Sequence, residues 1–308
     1  MTDSGTHAGS WRDLLGGRYL GISSVLAGGV ALYATNEFLT ISLLPSAVAD
    51  IGGQRFYAWV TTVYLVASVM AATTVSALLT RFAPRGAYLA AATVFGLGSV
   101  LCALAPSMEV LLVGRVVQGG AGGVLAGLGY AVINSVLPQG LWTRASALVS
   151  AMWGVGTVVG PAAGGLFAQF GMWRWAFGAL AILTAVIAAL VPIALPARTG
   201  GPVEVRWDIP VRSLLLLGGA AMMVSAAGIP SRVIVSGALL VGGAAMIGVF
   251  LWTDRRPGPS VLPPSAFGPG PLRWVYLTLG MLMAATMADM YVPLFGQRLG
   301  HLVPVVAG

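Results

Sequence analysis

The sequence predicts an all-α integral membrane protein. Three observations carry that prediction: the composition, the length of the apolar runs, and the arginines and tryptophans placed around them. Apolar residues make up 57% of the 308 and charged residues only 8%, where an ordinary soluble domain has about 25% charged residues. Mean hydropathy is +0.90. A helix needs about 20 residues to cross the hydrocarbon core, and nine runs of suitable length follow one another.

The expected spans are Tyr19–Val48, Tyr57–Leu79, Gly86–Ala105, Val110–Val136, Ala145–Phe170, Ala176–Leu195, Val211–Ala227, Val233–Trp252 and Trp274–Phe295. Polar or turn-forming clusters, such as Arg81 to Arg85 and Pro138 to Thr143, punctuate the gaps. With the N-terminus in the cytoplasm, eleven arginines lie on the inner side and four on the outer. That is the excess the positive-inside rule requires. Trp142, Trp173, Trp175, Trp252 and Trp274 fall near span ends, as an interfacial aromatic belt does. The expected location is a cell membrane crossed many times, of the bacterial inner or plasma membrane type, with the N-terminus inside. No short removable leader is expected ahead of the first span. An odd number of spans puts the C-terminus on the outer side.

The organisation expected is a six-helix bundle over 1–195 and a charged cytoplasmic linker over 196–210. Two further spans over 211–252 follow, then a Pro/Gly-rich cytoplasmic loop over 253–271 and the start of a second bundle over 272–308.

The fifth span holds GVGTVVGPAAGG, Gly154 to Gly165. Gly156, Gly160 and Gly164 recur every fourth residue and leave one helix face almost bare. Such a face lets a neighbouring backbone come close. Pro161 removes a backbone donor from the helix interior and is expected to kink it. The stretch reads as a moving part or as tight bundle packing.

Three charged residues stand out within the spans: Glu37, Arg115 and Asp289. A charge at that depth is costly unless paired or hydrated, and marks a functional site by default. Glu37 lies roughly 16 Å and Arg115 roughly 8 Å from the outer ends of their spans at 1.5 Å per residue. They are either a transport pair or a structural one. Asp289 lies near the outer end of its span, functional or only interfacial.

The +7 formal charge does not point to nucleic acid, because the arginines are spread over loops rather than gathered on one face. Cys102 is the single cysteine, so no disulfide framework is expected. His7 and His301 are the two histidines, and no His/Asp/Glu cluster stands ready for a metal. No phosphate-binding Gly-rich loop with its lysine occurs, so ATP is not the expected energy source. Neither enzyme chemistry nor a cofactor is expected.

LLVGRVVQGGAGG, Leu111 to Gly123, resembles the fourth-helix signature of the major facilitator superfamily, with Arg115, Gln118 and Gly119 at its hallmark positions. GVGTVVGPAAGG resembles that family's fifth-helix antiporter signature, including Gly156, Gly160, Pro161, Gly164 and Gly165. WRWAF, Trp173 to Phe177, looks like the start of its sixth helix. NEFLTISLLPSAVADI is similar to the first-helix pattern that ends in a proline, here Pro45. Aligned from Pro45, the customary acid falls on Asn36, and Glu37 stands one place along. In the loop after helix two, Arg81 and Arg85 match the family's basic pair, while Ser76 and Thr80 stand where its Gly and Asp would be. WDIP, Trp207 to Pro210, the paired spans after it, and QRLGHLVPVVAG, Gln297 to Gly308, are similar to the fourteen-helix branch of the drug:proton antiporters.

The resemblance implies a major-facilitator-like six-helix bundle plus about three more helices, the first nine of fourteen. It implies export of a lipophilic, often cationic, small molecule against inward proton flow, with protons, substrate and membrane lipids as partners. Glu37 would exchange proton for substrate under the influence of Arg115. Met281, Met283, Met287 and Met290 would be adaptable lining or plain lipid contacts. The competing reading is a truncated, non-transporting membrane protein: a sensor, an assembly subunit or an inactive remnant.

Overall fold

A computed structural model describes residues 9–197, 210–229, 233–256, 260–262 and 270–289, with side chains described as far as 282 in the last stretch. Among these residues the chain is helical, without strands. The long helices are α1 (Leu20–Ile51), α2 (Tyr57–Ala72), α3 (Val75–Ala103), α4 (Met108–Ala131), α5 (Trp142–Gln169), α6 (Trp173–Ala194), α7 (Val211–Ala226), α8 (Val233–Asp254) and α9 (Pro271–Asp289). Six helical stretches among the described residues are long and apolar enough to cross a membrane. The run of α1 is the longest, yet Thr35, Asn36 and Glu37 interrupt its apolar character.

Most helix limits follow the apolar runs to within a few residues. The second expected span differs. Instead of one helix over Tyr57–Leu79, the chain turns at Thr73 and Thr74. Their hydroxyls donate to the carbonyls of Met70 and Ala71, each at 2.7 Å. Threonine side chains compete for backbone partners in this way and weaken a helix locally. Helical structure resumes at Val75 and breaks again at Ala83, which has φ 56° and ψ 169°. Ala83 precedes Pro84, and the proline ring drives the preceding residue out of the helical region. The break falls between Arg81 and Arg85.

α1 is the centre of the packing. It lies most extensively against α5 and also contacts α6 and α4. α4 in turn packs on α3 and α2, and α3 on α6. α7 and α8 pair with each other, and α7 leans on α2. The buried residues Leu26, Leu43, Tyr88, Phe95, Leu125 and Phe177 belong to one core.

The bare face of α5 explains the α1–α5 contact. A Cβ on Gly156 would lie 2.5 Å from Ala34 Cβ, and one on Gly160 would lie 2.7 Å from Phe38 Cβ. On Gly164 it would meet the Leu39 carbonyl oxygen at 2.4 Å. No real side chain fits at those separations, so the two backbones meet directly. α5 runs as one helix through Pro161. Its other side carries Val155, Val158 and Val159, all exposed, Val158 by 71%. α4 approaches α2 by the same device: a Cβ on Gly119 or Gly123 would lie 2.2 Å from the carbonyl oxygen of Tyr64 or Ser68.

One end of the bundle is fastened by charge. Arg174, at the start of α6, pairs with Asp50 near the end of α1 and donates to the Ala105 carbonyl beyond α3 at 3.1 Å. Trp173 Nε1 donates to the same Asp50 carboxylate at 3.1 Å. Asp50 lies beyond the apolar span, and the Arg174 guanidinium bonded to it, with Trp173, holds its carboxyl below the usual carboxylate range.

Two outcomes are expected. Gly164→Leu should destabilise the purified protein by about 1–3 kcal/mol, the cost of overpacking a filled interface. Gly154→Leu, where a Cβ meets nothing within 4 Å, should leave the denaturation midpoint unchanged. The Asp50 clasp has a lowered folded-state pKa, so its contribution is present above the unfolded carboxylate pKa and lost as pH falls through the folded value. The melting difference between the parent and Asp50→Asn should therefore be constant near neutrality and vanish only in acid. A difference that grew in acid would contradict this assignment.

Candidate functional site

The centre of the bundle holds a guanidinium where the surroundings are otherwise apolar. Arg115, on α4, is fully buried. Its Nη1 donates to Asn36 Oδ1 of α1 and to Gln118 Oε1 of its own helix, each at 3.0 Å. Nε donates to the Val60 carbonyl of α2 at 3.4 Å. The guanidinium carbon sits 4.0 Å from the centre of the Tyr64 ring, a geometry that stabilises a cation through the ring quadrupole. Nη2 has no hydrogen-bond partner.

Gln118, one helical turn from Arg115, extends the network. Its Nε2 donates to Ser99 Oγ at 2.9 Å, and its Oε1 also accepts from Cys102 Sγ at 3.3 Å. Close approach of α3 and α4 permits this: a Cβ on Gly98 would lie 2.9 Å from the Gln118 nitrogen. On the α1–α2 side, Tyr64 OH donates to the Tyr33 carbonyl at 3.1 Å, and Ser68 Oγ donates to Tyr33 OH at 3.0 Å. The rings of Tyr33 and Tyr64 stack at 5.5 Å, and Trp153 of α5 meets Tyr33 edge-on at 5.4 Å.

Glu37 is buried, 7% exposed, next in sequence to the Asn36 that binds Arg115. Its Oε2 is enclosed without a hydrogen-bond partner. Among the described residues the one ion pair is Asp50–Arg174, so Glu37 and Arg115 do not form a direct pair. The Arg115 charge still acts on Glu37 through space. A buried polar atom without a partner is uncommon and calls for an explanation. Here two such atoms of opposite character, Arg115 Nη2 and Glu37 Oε2, belong to groups in electrostatic contact.

The other candidates fall elsewhere. Gly119 is the close-approach point between α4 and α2. Gly156, Gly160 and Gly164 lie along the α5 face turned to α1, and Gly165 is buried on the same helix. Pro161 is a half-buried position on the same helix. Arg81 is exposed and stacks over Phe82 at 5.6 Å, while Arg85 is half-buried. Neither joins an ion pair among the described residues. Asp289 is the last residue of α9, and its side chain lies outside the described residues, as do those of Met283, Met287 and Met290. Met281 is exposed. No group of three potential metal ligands occurs among the described residues.

The sequence reading passed over Tyr33, Tyr64, Ser68, Ser99 and Trp153. The available signal was the spacing Tyr33–Glu37 and Tyr64–Ser68, four residues apart, which places polar groups on one face of an apolar helix.

The chain belongs to the Major Facilitator Superfamily, whose family model matches residues 26–308. It is thus a transporter-family protein crossing the membrane several times. It is 61% identical over 313 aligned positions to a probable multidrug-efflux transporter of Mycobacterium tuberculosis, covering 100% of this chain and 66% of that protein. The putative multidrug resistance protein MdtD of Salmonella newport is 27% identical over 238 positions, 75% of this chain and 50% of MdtD. The fold is similar to the crystal structure of the POT family transporter PepTSo, with a TM-score of 0.51 and 15% identity over 78% of this chain and 55% of that one. The chain spans just under two thirds of the length of the M. tuberculosis relative.

One substitution tests the charge balance of the site. Asn36→Asp places a carboxylate against the Arg115 Nη1 and should raise the melting temperature, because a buried cation gains its counter-charge. A lower melting temperature for correctly inserted Asn36→Asp would show that Arg115 is already compensated.

Proposed function

We propose that this chain is the N-terminal part of a proton-coupled secondary transporter that exports lipophilic or cationic small molecules by alternating access. The observation that carries the reading is that the buried Arg115 Nη2 and Glu37 Oε2 are each left without a hydrogen-bond partner. Names borne by the similar proteins, multidrug efflux and multidrug resistance, support a small-molecule substrate.

Glu37 is the exchanging group. Protonated, it is neutral and needs no counter-charge in its buried position. Ionised, it is matched by the cation it meets, because an uncompensated carboxylate inside the membrane is costly. Proton and cationic substrate therefore compete for one oxygen. Arg115 supplies a fixed positive field that eases release of the proton. Asn36, Gln118, the Val60 carbonyl and the Tyr64 ring hold that guanidinium in place without neutralising it. Tyr33, Tyr64 and Trp153 offer aromatic faces to which a lipophilic cation is attracted.

In this proposal residues 1–195 form the moving bundle, and 196–210 is its cytoplasmic linker. The helices in 211–252 are accessory, and 272–308 opens the second bundle beyond the 253–271 loop. Asp289 would take part from that second side. Inverted repeats that rock about a midplane site are the general architecture for this kind of cycle. The N-terminus would lie on the cytoplasmic side of a bacterial inner membrane, an orientation that the arginine distribution supports.

In proteoliposomes with an imposed proton gradient, the complete transporter carrying Glu37→Gln should bind a lipophilic cation weakly and fail to accumulate it. Counterflow without a gradient, driven by substrate alone, should persist for a neutral substrate. Uphill transport by Glu37→Gln at the parent rate would remove Glu37 from the coupling step.

A further inference from the structure

We propose that the cleft between α1, α2 and α7 is a lipid site that holds one acyl chain of a membrane phospholipid. The cleft measures about 300 Å³ and is lined by Ile41 and Leu44 of α1, Ala58, Thr61 and Leu65 of α2, and Val224 near the end of α7, among others. It does not rest on the export reading.

The occupant follows from the lining, the size and the depth. No lining residue is charged, so an ionic group has no counterpart there. The volume lies at the lower limit of the roughly 300–1,000 Å³ typical of small-molecule pockets. It admits the upper part of a single alkyl chain, with the rest of the chain continuing into the bilayer. Ile41 and Leu44 lie 10 and 7 residues before the end of α1, roughly 15 and 10 Å inside it. Tyr57 stands at the first residue of α2, with the hydroxyls of Thr61 and Thr62 about one turn further in. The cleft thus changes from hydroxyl-bearing at the helix start to apolar at depth, the polarity sequence of a glycerol ester and its chain.

The helices leave this space for a physical reason. α7 has 16 residues, about 24 Å of rise against a hydrocarbon core of about 30 Å. At its C-terminal end it meets α2 through one hydroxyl pair, Thr62 Oγ1 with Ser225 Oγ at 2.7 Å. Further along α7, Gly218 faces Val66 and Met70. A gap beside a short helix inside a bilayer is filled by chain ends, since a void forfeits the dispersion contacts of its walls.

The test is native mass spectrometry of the purified full-length protein released from nanodiscs of a single defined phospholipid. The parent should retain one phospholipid through delipidation. Ala58→Trp and Thr61→Phe, each filling the cleft with a ring, should lower the retained fraction about tenfold, a loss of 1.4 kcal/mol. Ile193→Trp, on the exposed face of α6, should retain it as the parent does. Circular dichroism and the melting temperature certify that each variant is folded, and two different ring positions guard against one failing to insert. Absence of a retained phospholipid in the parent, equal retention in both folded cleft variants, or an exported compound in place of the phospholipid would each overturn the proposal. Export activity enters none of these readouts, so failure of the transport reading leaves the outcome interpretable.

Discussion

The buried guanidinium of Arg115 sets the terms for everything near it. A cation in an apolar bundle must be solvated by protein groups, and the groups here come from three helices besides its own: Asn36 from α1, the Val60 carbonyl and Tyr64 ring from α2, and Ser99 and Cys102 of α3 through Gln118. Each partner is neutral. The helices therefore have to stand close enough for short polar contacts to form, and the glycines of α3 and α4 permit it. Replacing dipoles by a carboxylate would neutralise the charge and free the packing from this requirement, at the cost of the field it projects.

α1 supplies the other half of the arrangement. One helix carries Tyr33, Asn36 and Glu37 inward while presenting its backbone to the bare side of α5. Positions 34, 35, 38 and 39 touch α5, and 33 and 36 serve the polar network. Such a division of faces is available to a helix with its period of 3.6 residues. α1 and α5 are consequently the most closely packed pair of helices among the described residues. In the proposed transport cycle, relative movement would fall between this pair and the helices across the pathway, rather than within it.

Much of this was legible beforehand. Apolar runs bounded by arginine and tryptophan marked the helices, because span length is imposed by the bilayer and not by tertiary detail. The glycine spacing of α5 and the identity of Arg115 and Gln118 were visible for a similar reason: each depends on one helix alone. Three things were not visible. The turn at Thr73 and Thr74 depends on hydroxyls bonding to nearby carbonyls, which apolar periodicity does not register. The choice of Asn36 rather than Glu37 as the Arg115 partner depends on the rotation of α1 about its axis. The stacking of Tyr33, Tyr64 and Trp153 depends on three helices meeting at one height. Contacts between helices lie beyond any pattern along one of them.

The two sides of α5 tolerate change unequally. Any residue substituted for glycine is bulkier, and at Gly156, Gly160 and Gly164 there is backbone where its atoms would go. Val155, Val158 and Val159 are exposed among the described residues, and there one aliphatic residue would serve about as well as another. Descent from a common ancestor would thus write itself on one stripe of this helix and leave the other nearly blank. The blank stripe identifies relatives at great distance, while the changing stripe dates the separation of close ones.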